Sequence, residues 1–254
     1  MSKKNLHIWE GIYDRFPNDD SGGIFESDRW LNSLPTFPQV QSRETLSPHS
    51  LIHEYPLAPL VATLIVSSDA SIRLLDFGGG LGNSFFPLIA SLPAPELVEF
   101  HIVETPTICR HGRKRYEEYH NLHFHEVLPS DENGFDIVHA AAALHYVADW
   151  RMMLEKFAAY EPRFILLFGL TAGDIKTFAT YQNYYGSKVP VWFWNVNEII
   201  DTMKDLGYKL TYKSLLASSY LGEVQPLPME NFPADYRLER KCNLMFTQSD
   251  HIHL

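Results

Sequence analysis

One segment dominates the sequence: Leu74-Leu75-Asp76-Phe77-Gly78-Gly79-Gly80-Leu81-Gly82-Asn83. An apolar run typical of a strand enters a glycine-rich turn, and a segment typical of a helix follows. Glycine allows a sharp bend and lets a ligand approach the backbone, because no Cβ stands in the way. The first turn of the following helix would present unpaired N–H groups to polar atoms of that ligand. The segment therefore predicts a ligand-binding strand–turn–helix unit.

The spacing of the glycines narrows the class of ligand. A dinucleotide-binding G-x-G-x-x-G starting at Gly78 would require glycine at position 83, which is Asn83. A phosphate-binding P-loop would require a following Gly-Lys-Ser/Thr, which is absent from the sequence here. The observed spacing is D-x-G-x-G-x-G, formed by Asp76, Gly78, Gly80 and Gly82. An acid before the turn favours a ligand with an ammonium group over one with a pyrophosphate.

A second acid stands at the end of the next predicted strand. Glu104 follows the last glycine of the turn by 104 − 82 = 22 residues. A carboxylate at this point accepts hydrogen bonds from both hydroxyls of a ribose, as in dinucleotide-binding folds. The two signals together predict a site for a ligand that carries a ribose and an ammonium group.

The rest of the chain alternates between strand-like and helix-like segments. This alternation begins near Leu51 and is typical of βαβ units with a mostly parallel sheet. Residues 1–50 instead hold scattered aromatics without a long period, which predicts an irregular N-terminal arm or lid on a domain of residues 51–254. A helix is predicted over 56–67, and the predicted strands are 72–77, 99–104, 122–126, 135–139, 164–168, 208–215 and 242–248.

Composition excludes several classes of protein. The chain has 254 residues and a formal net charge of -10, which disfavours a nucleic-acid partner. Two isolated cysteines provide neither a disulfide framework nor a zinc site, and the alternation of His123 and His125 reads as a half-exposed strand, so we predict no metal. No apolar run reaches the roughly 18 residues of a membrane span, and a cytoplasmic location is expected.

The glycine spacing and Glu104 resemble motifs I and II of the class I S-adenosylmethionine-dependent methyltransferases. The resemblance implies a Rossmann-like three-layer α/β sandwich with a mostly parallel seven-stranded sheet whose last strand is antiparallel. It implies S-adenosylmethionine as cofactor, held by Asp76, Gly78, Gly80, Gly82 and Glu104. It also places Glu126 near the adenine and Ala140 near the methionine moiety.

Departures from the family motifs narrow the class of acceptor substrate. The segment after the fourth strand lacks the Asn/Asp-Pro-Pro-aromatic motif of enzymes that methylate exocyclic amines of bases, and it lacks the paired aspartates expected of aminopropyl transferases. The opening Trp9-Glu10-Gly11-Ile12-Tyr13 is similar to a group of methyltransferases associated with bacterial surface-polysaccharide synthesis.

These features favour O-methylation of a sugar or another small polar molecule. His145 is the candidate general base, because its ordinary pKa leaves it neutral at physiological pH, and Tyr13 is a second catalytic candidate. Two alternatives stay open: an aminopropyl or other transferase on the same scaffold, and a cofactor-binding protein without turnover. The sequence does not determine the oligomeric state.

Overall fold

A computed structural model describes residues 7–18, 23–34, 61, 63–65, 71–130, 134–216, 219–220, 223–224 and 226–249. Most of the helix predicted over 56–67 lies outside these residues, although Val61 and residues 63–65 are helical. Among the described residues, no helix has the length and apolar character needed to span a membrane.

The described residues form strands in two main sheets and one short hairpin. In chain order the strands are β1 Trp9–Tyr13, β2 Ile72–Phe77, β3 Val98–Val103, β4 Leu122–His125, β5 Ile137–Ala141, β6 Phe164–Leu170, β7 Ala172–Gly173, β8 Phe178–Tyr184, β9 Ser187–Asn195, β10 Tyr208–Leu216, β11 Ser219–Tyr220, β12 Glu223–Val224 and β13 Lys241–Gln248.

The helices connect these strands. They are α1 Asp28–Leu31, α2 Phe85–Ser91, α3 Pro106–Arg115, α4 Trp150–Ala158 and α5 Val196–Asp205, with 3-10 turns at Ile24–Glu26, Pro95–Leu97, Leu144–Tyr146 and Ala234–Tyr236. Asp149 caps α4 by accepting a hydrogen bond from Met152 N at 3.0 Å, as its position before an apolar helix suggests.

The central sheet has seven strands in the order β10-β13-β6-β5-β2-β3-β4. Strands β2 to β6 pair in parallel, whereas β13 runs antiparallel to both β6 and β10. Each face of the sheet buries an apolar cluster, one around Phe85 and Phe100 and the other around Trp150 and Phe157. The predicted fold class is therefore confirmed. The strand order reverses beside β2, and ligands of open α/β sheets bind at such switch points.

The second main sheet, β1-β8-β9-β7, was not predicted from the sequence. Strands β8 and β9 form a hairpin after β6, and its turn places Tyr185 and Gly186 at φ 48° and 87°. Strand β1 pairs with β8, and Trp9 packs edge-on against Phe193 at 5.5 Å. The described part of the N-terminal arm is thus a strand and short helical turns, and Trp9 is buried against this hairpin.

Candidate functional site

The glycine turn lies at the carboxyl end of β2. Gly78 N donates a hydrogen bond to Val103 O at 2.9 Å, which ties the turn to the end of β3. Gly78, Gly80 and Gly82 have φ angles of 72°, 58° and 87°. Residues with a Cβ are strained in this left-handed region, so the turn depends on glycine at these three positions.

Glu104 lies directly beside the turn. Its Oε1 accepts a hydrogen bond from Gly80 N at 3.1 Å and its Oε2 accepts one from Thr105 N at 2.9 Å. Burial raises the pKa of the Glu104 carboxyl, while the two backbone donors oppose that rise. Each carboxylate oxygen accepts more than one hydrogen bond, so both retain capacity for a ligand donor. This arrangement fits the pair of hydroxyls of a ribose.

Asp76 lies underneath the turn rather than in front of it. Its side chain is fully buried, and Oδ1 lies 2.8 Å from Nδ1 of the equally buried His139. An ideal Cβ on Gly79 would lie 2.5 Å from Asp76 Oδ2, so a side chain at position 79 would collide with the carboxylate. Asp76 Oδ2 makes no hydrogen bond to the described residues, so the contact with a ligand ammonium expected of Asp76 stays a prediction. Its roles in pairing with His139 and in requiring glycine at 79 were not foreseen.

The other two expected cofactor residues, Ala140 and Glu126, differ in burial. Ala140 is fully buried within β5, so its side chain belongs to the core. Ala143, three residues later, is the residue that meets the turn, because a Cβ on Gly78 would collide with its own Cβ. Glu126 is half-exposed after β4, and its Oε1 accepts a hydrogen bond from the Arg113 guanidinium at 3.2 Å.

His145 lies in the 3-10 turn after β5. Its side chain is 2% exposed and its Nδ1 makes no hydrogen bond to the described residues. Burial first, and the charge of Lys241 second, hold its pKa well below 6.5. His145 is therefore neutral at physiological pH.

Lys241 is a residue of this region that the sequence analysis missed. It is the first residue of β13, at the end of the strand where its neighbour Cys242 pairs with Leu170. This end coincides with the carboxyl ends of β5 and β6, and burial lowers the pKa of the Lys241 amine to about 8. The sequence offered only its position next to a predicted strand, a weak signal without the β6 pairing.

The second catalytic candidate, Tyr13, belongs to the hairpin sheet. It pairs with Ala179, its ring packs edge-on against Tyr181 at 5.5 Å, and 40% of its surface is exposed. Tyr146, the neighbour of His145, connects the turn after β5 to the hairpin sheet. Its Oη donates a hydrogen bond to Oε1 of Gln182 on β8 at 3.0 Å.

The N-terminal segment 24–34 crosses the site. Glu26 Oε2 accepts a hydrogen bond from Thr107 Oγ1 at 2.7 Å, which fixes the segment to the first turn of α3. Phe25 packs against Tyr146 with ring centroids 5.1 Å apart. Leu34 reaches within 3.8 Å of an ideal Cβ on Gly80. The segment therefore spans from the first turn of α3, across the glycine turn, to the turn that holds His145.

The chain that carries this site matches a model of a known protein family. The model of the methyltransferase domain matches residues 50–213, which is more than half of the chain. The chain belongs to the methyltransferase domain family. This confirms the predicted enzyme class, an S-adenosylmethionine-dependent methyltransferase, and its predicted cofactor. A comparison with curated proteins gave no match.

Solved methyltransferases share the fold at low sequence identity. Magnesium protoporphyrin IX methyltransferase from Synechocystis PCC 6803 is 15% identical, with a TM-score of 0.53 over 87% of this chain and 90% of that chain. The 1,6-didemethyltoxoflavin-N1-methyltransferase of Burkholderia thailandensis is 12% identical, with a TM-score of 0.51 over 85% and 94%. The CcbJ methyltransferase of Streptomyces caelestis is 14% identical, with a TM-score of 0.50 over 83% and 94%.

Proposed function

We propose that this methyltransferase transfers a methyl group to a hydroxyl of a small polar acceptor, and that a sugar is the first acceptor class to test. The observation that carries the cofactor site is the position of Glu104, whose two carboxylate oxygens are held by Gly80 N and Thr105 N at the tip of β3. Two of the structural neighbours support the same ligand. The Synechocystis enzyme was crystallised with S-adenosylmethionine and the Burkholderia enzyme with S-adenosylhomocysteine.

The chain's own residues would divide the cofactor between them. Glu104 would accept hydrogen bonds from the ribose hydroxyls, and the glycine turn would leave room for the amino-acid part at Gly80 and Gly82. Asp76 would act through the turn, by holding its underside, and Glu126 would border the adenine. S-adenosylmethionine would supply an electrophilic methyl group, which would form a bond to the acceptor oxygen as its bond to sulfur breaks and S-adenosylhomocysteine leaves.

The acceptor would lie on the opposite side of the turn, near His145. An acceptor hydroxyl would satisfy the buried Nδ1 of His145, and this neutral imidazole would take the hydroxyl proton as the oxygen attacks. The bond from Tyr146 to Gln182 fixes the turn that carries His145. Segment 24–34 would act as a lid that excludes water, since it contacts both sides of the site.

A sugar is favoured by the aromatic surroundings of the hairpin sheet. Phe25 packs edge-on against Trp30, and Trp30 contacts Tyr184 of β8 with ring centroids 5.7 Å apart. The exposed face of Tyr13 adds a flat apolar surface, and such surfaces stack well on sugar rings. Saccharides of bacterial surface-polysaccharide synthesis are the first candidates, because the motif of residues 9–13 is similar to methyltransferases of that setting.

The test is incubation of the protein with methyl-labelled S-adenosylmethionine and a panel of saccharides and small alcohols. Release of S-adenosylhomocysteine with label in a saccharide oxygen is expected. Glu104→Ala serves as the matched variant, and it should bind the cofactor more weakly. Label on a nitrogen or carbon atom of the acceptor would show that the proposed acceptor class is wrong. Release of methylthioadenosine would show aminopropyl transfer instead of methyl transfer.

A further inference from the structure

Three potential metal ligands share one face of the β3–β4 pair, away from the glycine turn. Glu99 and His101 alternate along β3, and His101 pairs directly with His123 of β4. His101 Nε2 lies 3.7 Å from Glu99 Oε2, and His123 Nε2 lies 3.5 Å from Glu99 Oε1. One ligand atom from each residue lies within 4.8 Å of the other two. This spacing resembles the 2-His-1-carboxylate sets that bind zinc.

The inner histidine has a nitrogen without a hydrogen bond. His101 is only 6% exposed, and its buried Nε2 makes no hydrogen bond to the described residues. Its other nitrogen, Nδ1, lies 2.9 Å from His125 Nε2. A proton on Nδ1, donated to His125, leaves the Nε2 lone pair directed toward Glu99 and His123. Metal-binding histidines are commonly oriented by such a bond on the second nitrogen.

Among the described residues, Arg73 places a positive charge beside this cluster, which opposes a cation. Its Nε donates to Glu99 Oε2 at 2.9 Å, whereas Glu99 Oε1 lies 3.5 Å from His123 Nε2. Its guanidinium also donates to Gly134 O and stacks 4.9 Å from the centroid of Phe135. The charge of Arg73 weakens the site electrostatically, and Glu99 Oε1 is the oxygen proposed as the metal ligand.

We propose that Glu99, His101 and His123 form a binding site for a divalent transition metal of the zinc class, with water as the fourth ligand. Tetrahedral zinc with bonds of roughly 2.0–2.1 Å sets its ligand atoms about 3.3 Å apart. The distances of 3.7 and 3.5 Å from Glu99 run to different oxygens of its carboxylate, and one ligand atom from each of the three residues lies within 4.8 Å of the others. Small side-chain rotations would bring the three atoms to the spacing of a bound zinc ion.

The fourth position has access to water. The side chains of Glu99 and His123 are 41% and 37% exposed. The described residues of the connection from β4 to β5, 126–130 and 134–136, form no helix over this face. The site is distinct from the cofactor site, since Glu104 lies three residues beyond His101, about 10 Å along the chain at the usual rise of a strand.

The proposal departs from the expectation that no metal binds. The alternation of His123 and His125 is explained by a strand, as the sequence suggested. The sequence did not show that Glu99 and His101 lie opposite His123, because the register of β3 and β4 is a tertiary property.

Titration of the intact protein with Zn²⁺ by calorimetry, and with Co²⁺ by visible absorption, tests the proposal. One ion per chain and the intense absorption of tetrahedral Co²⁺ are expected. His123→Ala changes a half-exposed residue and should weaken binding at least about tenfold, which is the loss typical of removing even an outer partner. His125→Ala should weaken binding about 10- to 100-fold through the lost bond to His101.

His111→Ala is the matched control, because His111 is exposed on α3 and outside the cluster. It should bind Zn²⁺ like the unmodified protein. Equal affinity of His123→Ala and His111→Ala would overturn the proposal, and so would octahedral Co²⁺ absorption. None of these measurements depends on methyl transfer.

Discussion

Asp76 Oδ1 lies 2.8 Å from His139 Nδ1, and both side chains are fully buried. The pair joins the adjacent strands β2 and β5, which run in parallel with Asp76 opposite His139. It lies directly below the glycine turn, because Gly79 is in contact range of the second carboxylate oxygen. Stability of the domain and the shape of its cofactor site are thus coupled through one buried pair of side chains.

Asp76→Ala should lower the free energy of unfolding by about 3–5 kcal/mol, because removal of one partner leaves a buried polar group unsatisfied. Asp76→Asn keeps an oxygen that accepts from His139 and should cost less. Urea unfolding measures both variants, and calorimetry should show weaker cofactor binding for Asp76→Ala. Equal stability of the two variants would contradict the role given to this pair.

Gly80→Val should sharply weaken the binding of S-adenosylmethionine. A β-branched residue is strained at φ 58°, and its side chain would press on Asn83 and Leu34 beside the turn. The matched control is Gly207→Val, since Gly207 has φ 86° but open space around it. Both variants should lose stability to backbone strain, but only Gly80→Val should lose cofactor affinity in calorimetry. A similar affinity in the two variants would remove the turn from the proposed site.

The stability of the ligand-free protein should depend on the ionisation of Glu104. Burial raises its pKa above 4.5, so ionisation costs more in the folded chain than in the unfolded chain. The contribution of Glu104 to stability is therefore full below pH 4.5 and is lost as the pH rises through the raised pKa. As the pH rises through this range, Glu104→Gln should become more stable relative to the unmodified protein. Urea unfolding at a series of pH values measures this difference. A difference that does not change with pH would show that the raised pKa is wrong.

Glu104→Gln should also weaken the binding of the cofactor, since the amide replaces one of the two acceptor oxygens by a donor. Calorimetric titration with S-adenosylhomocysteine at neutral pH measures this loss. A variant that is both more stable at neutral pH and poorer at binding would show that the charge of Glu104 serves the ligand rather than the fold.

His145→Gln should reduce turnover by about 10²- to 10⁴-fold, the usual contribution of a general base, while changing the affinity for the cofactor much less. Release of S-adenosylhomocysteine and calorimetry measure the two quantities separately. Turnover equal to that of the unmodified protein would dismiss His145 as the base.

His145 should also make the fold sensitive to acid. Its pKa is lower in the folded chain than its ordinary value of 6.5. Its contribution to stability is therefore full above pH 6.5 and is lost as the pH falls toward the folded-state pKa. The unmodified protein should lose more stability than His145→Gln between pH 7 and pH 5 in urea unfolding, and parallel losses would argue against the buried neutral imidazole.

Local patterns were enough to predict the central sheet. Strand β2 has the bounds that were predicted, and β6 extends the predicted apolar run by two residues. The hairpin of β8 and β9 was missed, since no strand was predicted between residues 168 and 208. Its alternating side chains and Gly186, in a two-residue turn, were the signal that could have revealed it.

The site was predicted less completely than the sheet. Spacing located Gly78, Gly80, Gly82 and Glu104 at the ends of strands, and the structure places them together. Spacing could not show which side of the turn Asp76 occupies, or that His139 comes to it from β5. Such contacts depend on strand order and register, which no local pattern encodes.

The pairing of β1 with β8 has a consequence for how the chain folds. Trp9 is opposite Gln182, so β1 is synthesised 182 − 9 = 173 residues before the partner residue on β8. Contacts this distant in sequence form late, because a long loop must close first. Until then β8 offers an open edge to other nascent copies, and such edges promote aggregation. Once β1 pairs with β8, it covers this edge and protects the newly made protein from association through it.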